Sequence, residues 1–313
     1  MRFHPLADAT AIMLVRFLIM FFTLEVAAAA GVGGWYLGLL ANVAVTIFAA
    51  VLVTRRRLWA SIGATTLWRS WWALAALAPL ALDAVSWALP ARLVREDPGF
   101  LLWGVTLLLV GVNEELISRG VILSRLEVAY RPLLAVTITA ALFGLQHLSA
   151  FALTSREAGD ILGNVALSGI YGFALAAFQW RFRWIWPLIL VHALADFVTL
   201  LAAEPLSDGL IVAAQVTMLA LGLVLLRWRV PPVDADLPRT HDAGVRTRLT
   251  GRGTAPGWWP RWAQPGCTLT RSPPTWRSSG DCLLSSAPSG PGCPSSWSSP
   301  TGLITTSTDS VII

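Results

Sequence analysis

The feature that most constrains this chain is a succession of apolar runs, each about as long as the hydrocarbon core of a bilayer is thick. A helix needs about 20 apolar residues to cross, at a rise of about 1.5 Å per residue. Runs meeting this length lie at about 9–30, 35–53, 71–90, 100–119, 133–152, 161–180, 184–203 and 209–226. They leave 55% of residues hydrophobic and only 13% charged, where a soluble domain carries about a quarter charged residues. The expected fold is all-α: a polytopic membrane protein of about eight transmembrane helices. The third run is the weakest, because Pro79 and Asp83 interrupt it. The first run follows Arg2 and ends near an alanine-rich VAAAAG, as a signal peptide would. It also holds Arg16 and Glu25 and exceeds the usual apolar region of about 7–15 residues, so it reads as a span.

The basic side chains are all arginine, and their placement orients the spans, because cytoplasmic loops carry the excess of positive charge. Arg55, Arg56, Arg57 and Arg69 follow the second span; Arg119, Arg125 and Arg131 the fourth; Arg181 and Arg183 the sixth; Arg227 and Arg229 the eighth. The opposite loops hold Arg92, Arg95 and Arg156, beside Glu96, Asp97, Glu157, Asp160, Glu204 and Asp208. Both termini are therefore expected in the cytoplasm, with the protein integral to a bacterial cytoplasmic membrane. A net charge of +5 scattered at span ends makes no basic patch, so the expected partners are the lipid bilayer and a membrane-associated protein or peptide, with no nucleic acid.

Three regions follow: 1–99 with the first three helices, 100–230 with helices four to eight and the polar residues considered next, and 231–313, rich in Pro, Ser and Gly. The last cannot bury enough apolar surface to offset its ordering entropy and is expected to be a disordered tail. Cys267, Cys282 and Cys293 all lie in it, with the spacing of neither a zinc ribbon nor a CxxC pair. Gly34 and Gly38 form a GxxxG, for which close helix packing is the plain reading.

Ionisable groups at membrane depth cost at least about 2.5–3.5 kcal/mol each, which makes a cluster of them a functional hypothesis. Three clusters stand out: EELISR at 114–119, FGLQH at 143–147 and HALAD at 192–196. Tyr130, Arg131 and Pro132 form the natural turn between the fourth and fifth helices. A fourth helix reaching about residue 129 would be about 45 Å long and would set Glu114 level with His147 across the hairpin. Glu115 and Arg119, four apart, are placed to pair, leaving Glu114 on another face; His192 and Asp196 also share a face. All three clusters are expected at one depth, nearer the cytoplasmic side.

Such groups support more than one chemistry. A carboxylate and a histidine can activate water while an imidazole faces the oxyanion. Glu114, His147 and His192 could instead hold a divalent metal such as zinc, so the cofactor is either such an ion or none. A proton relay or transporter would use the same groups without cleavage, and a scaffold would keep them only for packing. Ser168, one helix before His192, admits a rhomboid-like serine reading that leaves the Glu–Glu–Arg cluster unexplained; no HExxH or GxGD occurs.

At these residues the chain resembles the CPBP family of intramembrane proteases (CAAX proteases and bacteriocin-processing enzymes, also called Abi), and within it the type II CAAX prenyl endopeptidases. The family pattern is EExxxR, FxxxH and HxxxN or HxxxD, each in a membrane helix. Here Glu114, Glu115 and Arg119, then Phe143 and His147, then His192 and Asp196 supply it in order. The resemblance implies an all-α membrane endopeptidase, a hydrolase often named a metalloprotease. In it Glu114 and His147 activate water, Glu115 belongs to the catalytic set and pairs with Arg119, Phe143 packs the motif, and His192 with Asp196 stabilises the oxyanion. Prenyl-protein endopeptidases carry Asn where this chain has Asp196, which is expected to orient His192 instead.

Overall fold

The computed structural model describes residues 4–89 and 92–227, all of which fall in one compact unit. The tail at 231–313 and its three cysteines lie outside the described residues. Eight helical stretches run through the described part: α1 Pro5–Ala29, α2 Trp35–Arg55, α3 Trp71–Ser86, α4 Phe100–Leu126, α5 Pro132–Leu153, α6 Ala158–Phe182, α7 Ile185–Leu201 and α8 Asp208–Arg227. Among the described residues there is no strand beyond one isolated bridge between Leu93 and Ala202. The fold is thus all-α and membrane-integral. Six helices are long and apolar enough to cross, whereas α3 and α7 are shorter than their apolar runs. Helix α3 starts on a Ser70 cap that accepts from the Ala73 amide, contains Pro79, and ends at Ser86 rather than at 90.

Helix α4 carries the main departure from regular geometry. It is α-helical over Phe100–Glu115, π-helical over Leu116–Ile122 and α-helical again over Leu123–Leu126. Single wide turns of this kind concentrate at functional sites because they re-aim neighbouring side chains. Periodicity alone carries no sign of it. Helix α5 begins on Pro132 at its first turn, as the proline predicts, and tightens to a 3-10 turn at Gln146–Ser149, which carries His147.

Glycines bring the site-bearing helices close, but not the pair expected. A Cβ at Gly34 or Gly38 would meet nothing within 4 Å, so this GxxxG makes no tight crossing; Gly34 serves instead as the α2 cap, at φ 58°. The close approaches are elsewhere. A Cβ at Gly111 of α4 would lie 2.8 Å from the Ile189 carbonyl of α7, and one at Gly144 of α5 would lie 2.6 Å from the Val165 carbonyl of α6. Gly144→Ala therefore has to push two backbones apart. It is expected to cost about 1–3 kcal/mol, measured as a lower thermal midpoint in detergent.

One end of the bundle is tied together by its arginines. Asp8 accepts from both Arg56 guanidinium nitrogens, at 3.0 and 3.1 Å, and from Arg125 at 3.1 Å, pinning α1 to the ends of α2 and α4. Arg183 pairs with Glu127, and Arg69 donates to the Arg183 carbonyl. The α2–α3 connection folds inward here: Ile62 is fully buried, its carbonyl accepts from Gln179 at 2.9 Å, and its side chain sits against Gly120.

Candidate active site

The three polar clusters meet in a cavity of about 300 Å³ lined in part by Asp83, Glu114, His147, Ser168, Tyr171, His192 and Asp196. Helix α4 supplies the two carboxylates, both buried. Because consecutive residues point about 100° apart, Glu114 faces the cavity while Glu115 turns toward α7 and the guanidinium of Arg119. That pair closes at 2.9 Å. Arg119 is fully buried, lies 4.0 Å over the Phe143 ring and reaches the Gly172 carbonyl at 3.4 Å.

His192 occupies the centre. Its Nδ1 is 2.7 Å from Glu115 Oε1, and its Nε2 lies 3.5 Å from Glu114 Oε2 and 3.6 Å from Asp196 Oδ2. A ring nitrogen that close to a carboxylate is the donor, so Glu115 fixes the ring and Nε2 is presented to the cavity. Glu115, backed by Arg119, holds Nδ1, while Asp196, expected to orient His192, stands on the cavity side 3.6 Å from Nε2. Phe143 and Tyr171 close on the ring edge-to-face, with centroids 5.7 and 5.9 Å away.

His147 is set by its own turn. Its Nδ1 lies 3.1 Å from the Phe143 carbonyl and 3.3 Å from the Gly144 carbonyl. Carbonyl oxygens only accept, so Nδ1 carries the proton and Nε2 keeps a lone pair. Phe143, expected to pack the motif, touches Arg119, His147 and His192 at once.

Glu114 is not the isolated side chain its face suggested. Its Oε1 accepts from Arg16 of α1 at 2.8 Å, in a pair whose two side chains are each 4% exposed. Arg16 is thus the site residue that the motifs miss; its signal was a lone arginine deep in an apolar run, which demands a partner at membrane depth. Tyr171 was missed too. It is one of three tyrosines in the chain, lines the cavity, and its hydroxyl has no hydrogen-bond partner among the described residues.

The metal set does not fit. Glu114, His147 and His192 do not converge on one ion, nor does any other group of three His, Cys, Asp or Glu side chains among the described residues. Both nitrogens of His192 face carboxylates, and the positive charge beside Glu114 belongs to Arg16. Ser168 donates to Asn164 at 3.2 Å, with no histidine partner.

Depth also differs from expectation. Glu114 and His192 stand near the middles of α4 and α7, and the cavity runs from them toward the α3–α4, α5–α6 and α7–α8 connections, away from the arginine-rich end.

Carboxylates and histidines from α4, α5 and α7 thus share one cavity inside the helical bundle. The family described as type II CAAX prenyl endopeptidase, Rce1-like, matches residues 96–198, which hold all three motif elements. The match supports an intramembrane endopeptidase of the CAAX type in general and is consistent with a CPBP-family protease. No curated protein and no solved structure matches the chain.

Proposed function

We propose that this chain is a CPBP-type intramembrane endopeptidase that hydrolyses a peptide bond of a membrane-associated protein or peptide, with water activated by Glu114 and His147. The observation that carries this reading is the division of labour at Glu114: Oε1 is held by Arg16, while Oε2 is turned toward His192 in the cavity shared with His147.

In this reading a water molecule donates to Glu114 Oε2 and to the lone pair on His147 Nε2. As its oxygen attacks the scissile carbonyl carbon, its proton passes to Glu114. The oxyanion accepts from the Nε2–H of His192, which carries a proton on each ring nitrogen in this reading, Nδ1–H held by Glu115 and Nε2–H facing the cavity beside Glu114 and Asp196, with the Tyr171 hydroxyl as a second donor. These groups are in place before the charge develops. Collapse breaks the C–N bond, and the proton held by Glu114 goes to the leaving amine. The protein acts in a bacterial cytoplasmic membrane with both termini in the cytoplasm.

The test is reconstitution of the purified full chain in liposomes with a panel of membrane-anchored peptides, with chelator and added zinc as parallel arms. Cleavage that survives chelation supports Glu–His activation of water. Proton flux with no cleavage would replace the endopeptidase with a relay that uses the same groups.

Arg16 gives a further expectation. It touches Glu114 rather than the reacting atoms, so it is a positioning residue. Losing its hold frees a short side chain in a roomy cavity, and misplacement of about 1 Å can cost about 10²-fold in rate. Arg16→Met is expected to lower kcat by about that factor with KM little changed, and Arg16→Lys to restore part of it. Equal loss in both variants, or a change confined to KM, would remove Arg16 from this role.

A further inference from the structure

The cavity is one-sided, and this says from where the substrate comes. Its lining residues sit on six helices, yet all lie between the helix middles and one end of the bundle. Trp87 follows α3; Leu107 is in the first third of α4; Asn164 is in the first third of α6; Thr199 is near the end of α7; Gln215 is in the first half of α8. Because the helices alternate in direction, these positions stack toward the same end, that of the α3–α4, α5–α6 and α7–α8 connections. Glu114 lies at the inner limit.

The other half is closed. Every residue of 113–123 on α4 and of 172–179 on α6 is buried, which leaves no helix face there open to a channel. Beneath this packed half, the α2–α3 connection inserts Ile62 against Gly120 and ties its backbone to Gln179. Arg69 and the Trp184 indole fasten the same connection through the Arg183 and Thr66 carbonyls.

The closed end is the arginine-rich one. The open end carries Glu96, Asp97, Glu157, Asp160, Glu204 and Asp208, all exposed, against Arg92, Arg95 and Arg156. Arginine excess marks the cytoplasmic side of a span, so the cavity opens away from the cytoplasm.

We infer that the site draws its substrate from the extracytoplasmic face of the membrane. The substrate is a membrane-anchored polypeptide whose scissile segment lies on that side, and not a protein tethered to the cytoplasmic leaflet. This rests on the endopeptidase reading for what is done to the polypeptide, but the direction of opening stands independently of catalysis. Tyr171 and Gln215 suit an extended peptide, because both residues line the cavity and each has a polar atom, the Tyr171 hydroxyl and Gln215 Oε1, with no hydrogen-bond partner among the described residues.

The experiment uses the full chain with Cys267, Cys282 and Cys293 changed to serine, carrying one new cysteine at a time: Ser168→Cys or Thr199→Cys in the cavity, and Ser61→Cys on the exposed α2–α3 connection. Each is expressed in a bacterial cytoplasmic membrane and treated, in sealed spheroplasts, with a charged membrane-impermeant maleimide. The expected result is labelling of the cavity cysteines from outside and of Ser61→Cys only after lysis. The reverse pattern overturns the proposal, as does protection of both cavity cysteines from outside when SDS-denatured samples label fully. If either cavity variant fails to reach the membrane, Asn164→Cys on the same wall replaces it. A second arm offers the wild type two membrane-anchored reporters, with the cleavable segment on one side or the other. Cleavage of the cytoplasmic reporter alone overturns the direction and keeps the endopeptidase. Labelling from outside with neither reporter cut supports the direction and counts against the endopeptidase.

Discussion

Arg119→Met is expected to destabilise the protein by about 3–5 kcal/mol, the usual cost of removing one partner from a buried ion pair. The guanidinium is fully buried, pairs with Glu115 at 2.9 Å and lies over the Phe143 ring. Without it, Glu115 remains an anion inside the bundle beside His192, and its Oε2 already has no hydrogen bond among the described residues. Methionine fills much of the volume, so the loss is electrostatic and not a cavity. Arg119→Lys should recover only part of it, because an ammonium lacks the planar face that stacks on Phe143. Adding Glu115→Gln to Arg119→Met removes the stranded charge and is expected to restore some stability, a coupling that thermal midpoints in detergent would measure. Additive losses would mean that the two side chains do not act as a pair.

Glu114→Gln has the complementary signature, a large loss of activity with a smaller loss of stability. General acid–base groups contribute about 10²–10⁴-fold, and glutamine at neutral pH neither takes the proton of an attacking water nor returns one to a leaving amine. The amide oxygen still accepts from Arg16, so the α1–α4 contact survives with a weaker, singly charged hydrogen bond. A variant that keeps most of its thermal midpoint yet cleaves at no more than about 1% of the wild-type rate is the expected outcome. A parallel fall in both would assign Glu114 to packing and favour a scaffold.

Much of the helical layout was legible before any coordinates, because span length and arginine placement are set by the bilayer itself. The ends of α3 and α7 were not, since an apolar run continues past the point where the backbone leaves the helix: α3 stops at Ser86, well beyond Pro79, and α7 at Leu201. Glu115, Arg119, His192 and Asp196 were readable because i,i+4 spacing is local. Arg16 announced only that it needs a partner at membrane depth; that the partner is Glu114, and that Tyr171 closes on His192, depends on tertiary contacts between helices far apart in sequence. The role of Glu115 at His192 depends on the rotation of α4 against α7, which a helical wheel cannot supply. The GxxxG at Gly34 and Gly38 misled for the same reason: a spacing says which residues share a face, not whether another helix lies against it.

The most direct test of the central claim is mass-spectrometric analysis of a membrane-anchored peptide incubated with purified wild type or Glu114→Gln in nanodiscs, both first shown to be folded. The wild type is expected to yield one pair of complementary fragments, from hydrolysis of a single peptide bond, and Glu114→Gln none above background. Equal cleavage by the two proteins would contradict it, because the water would then be activated by something other than Glu114.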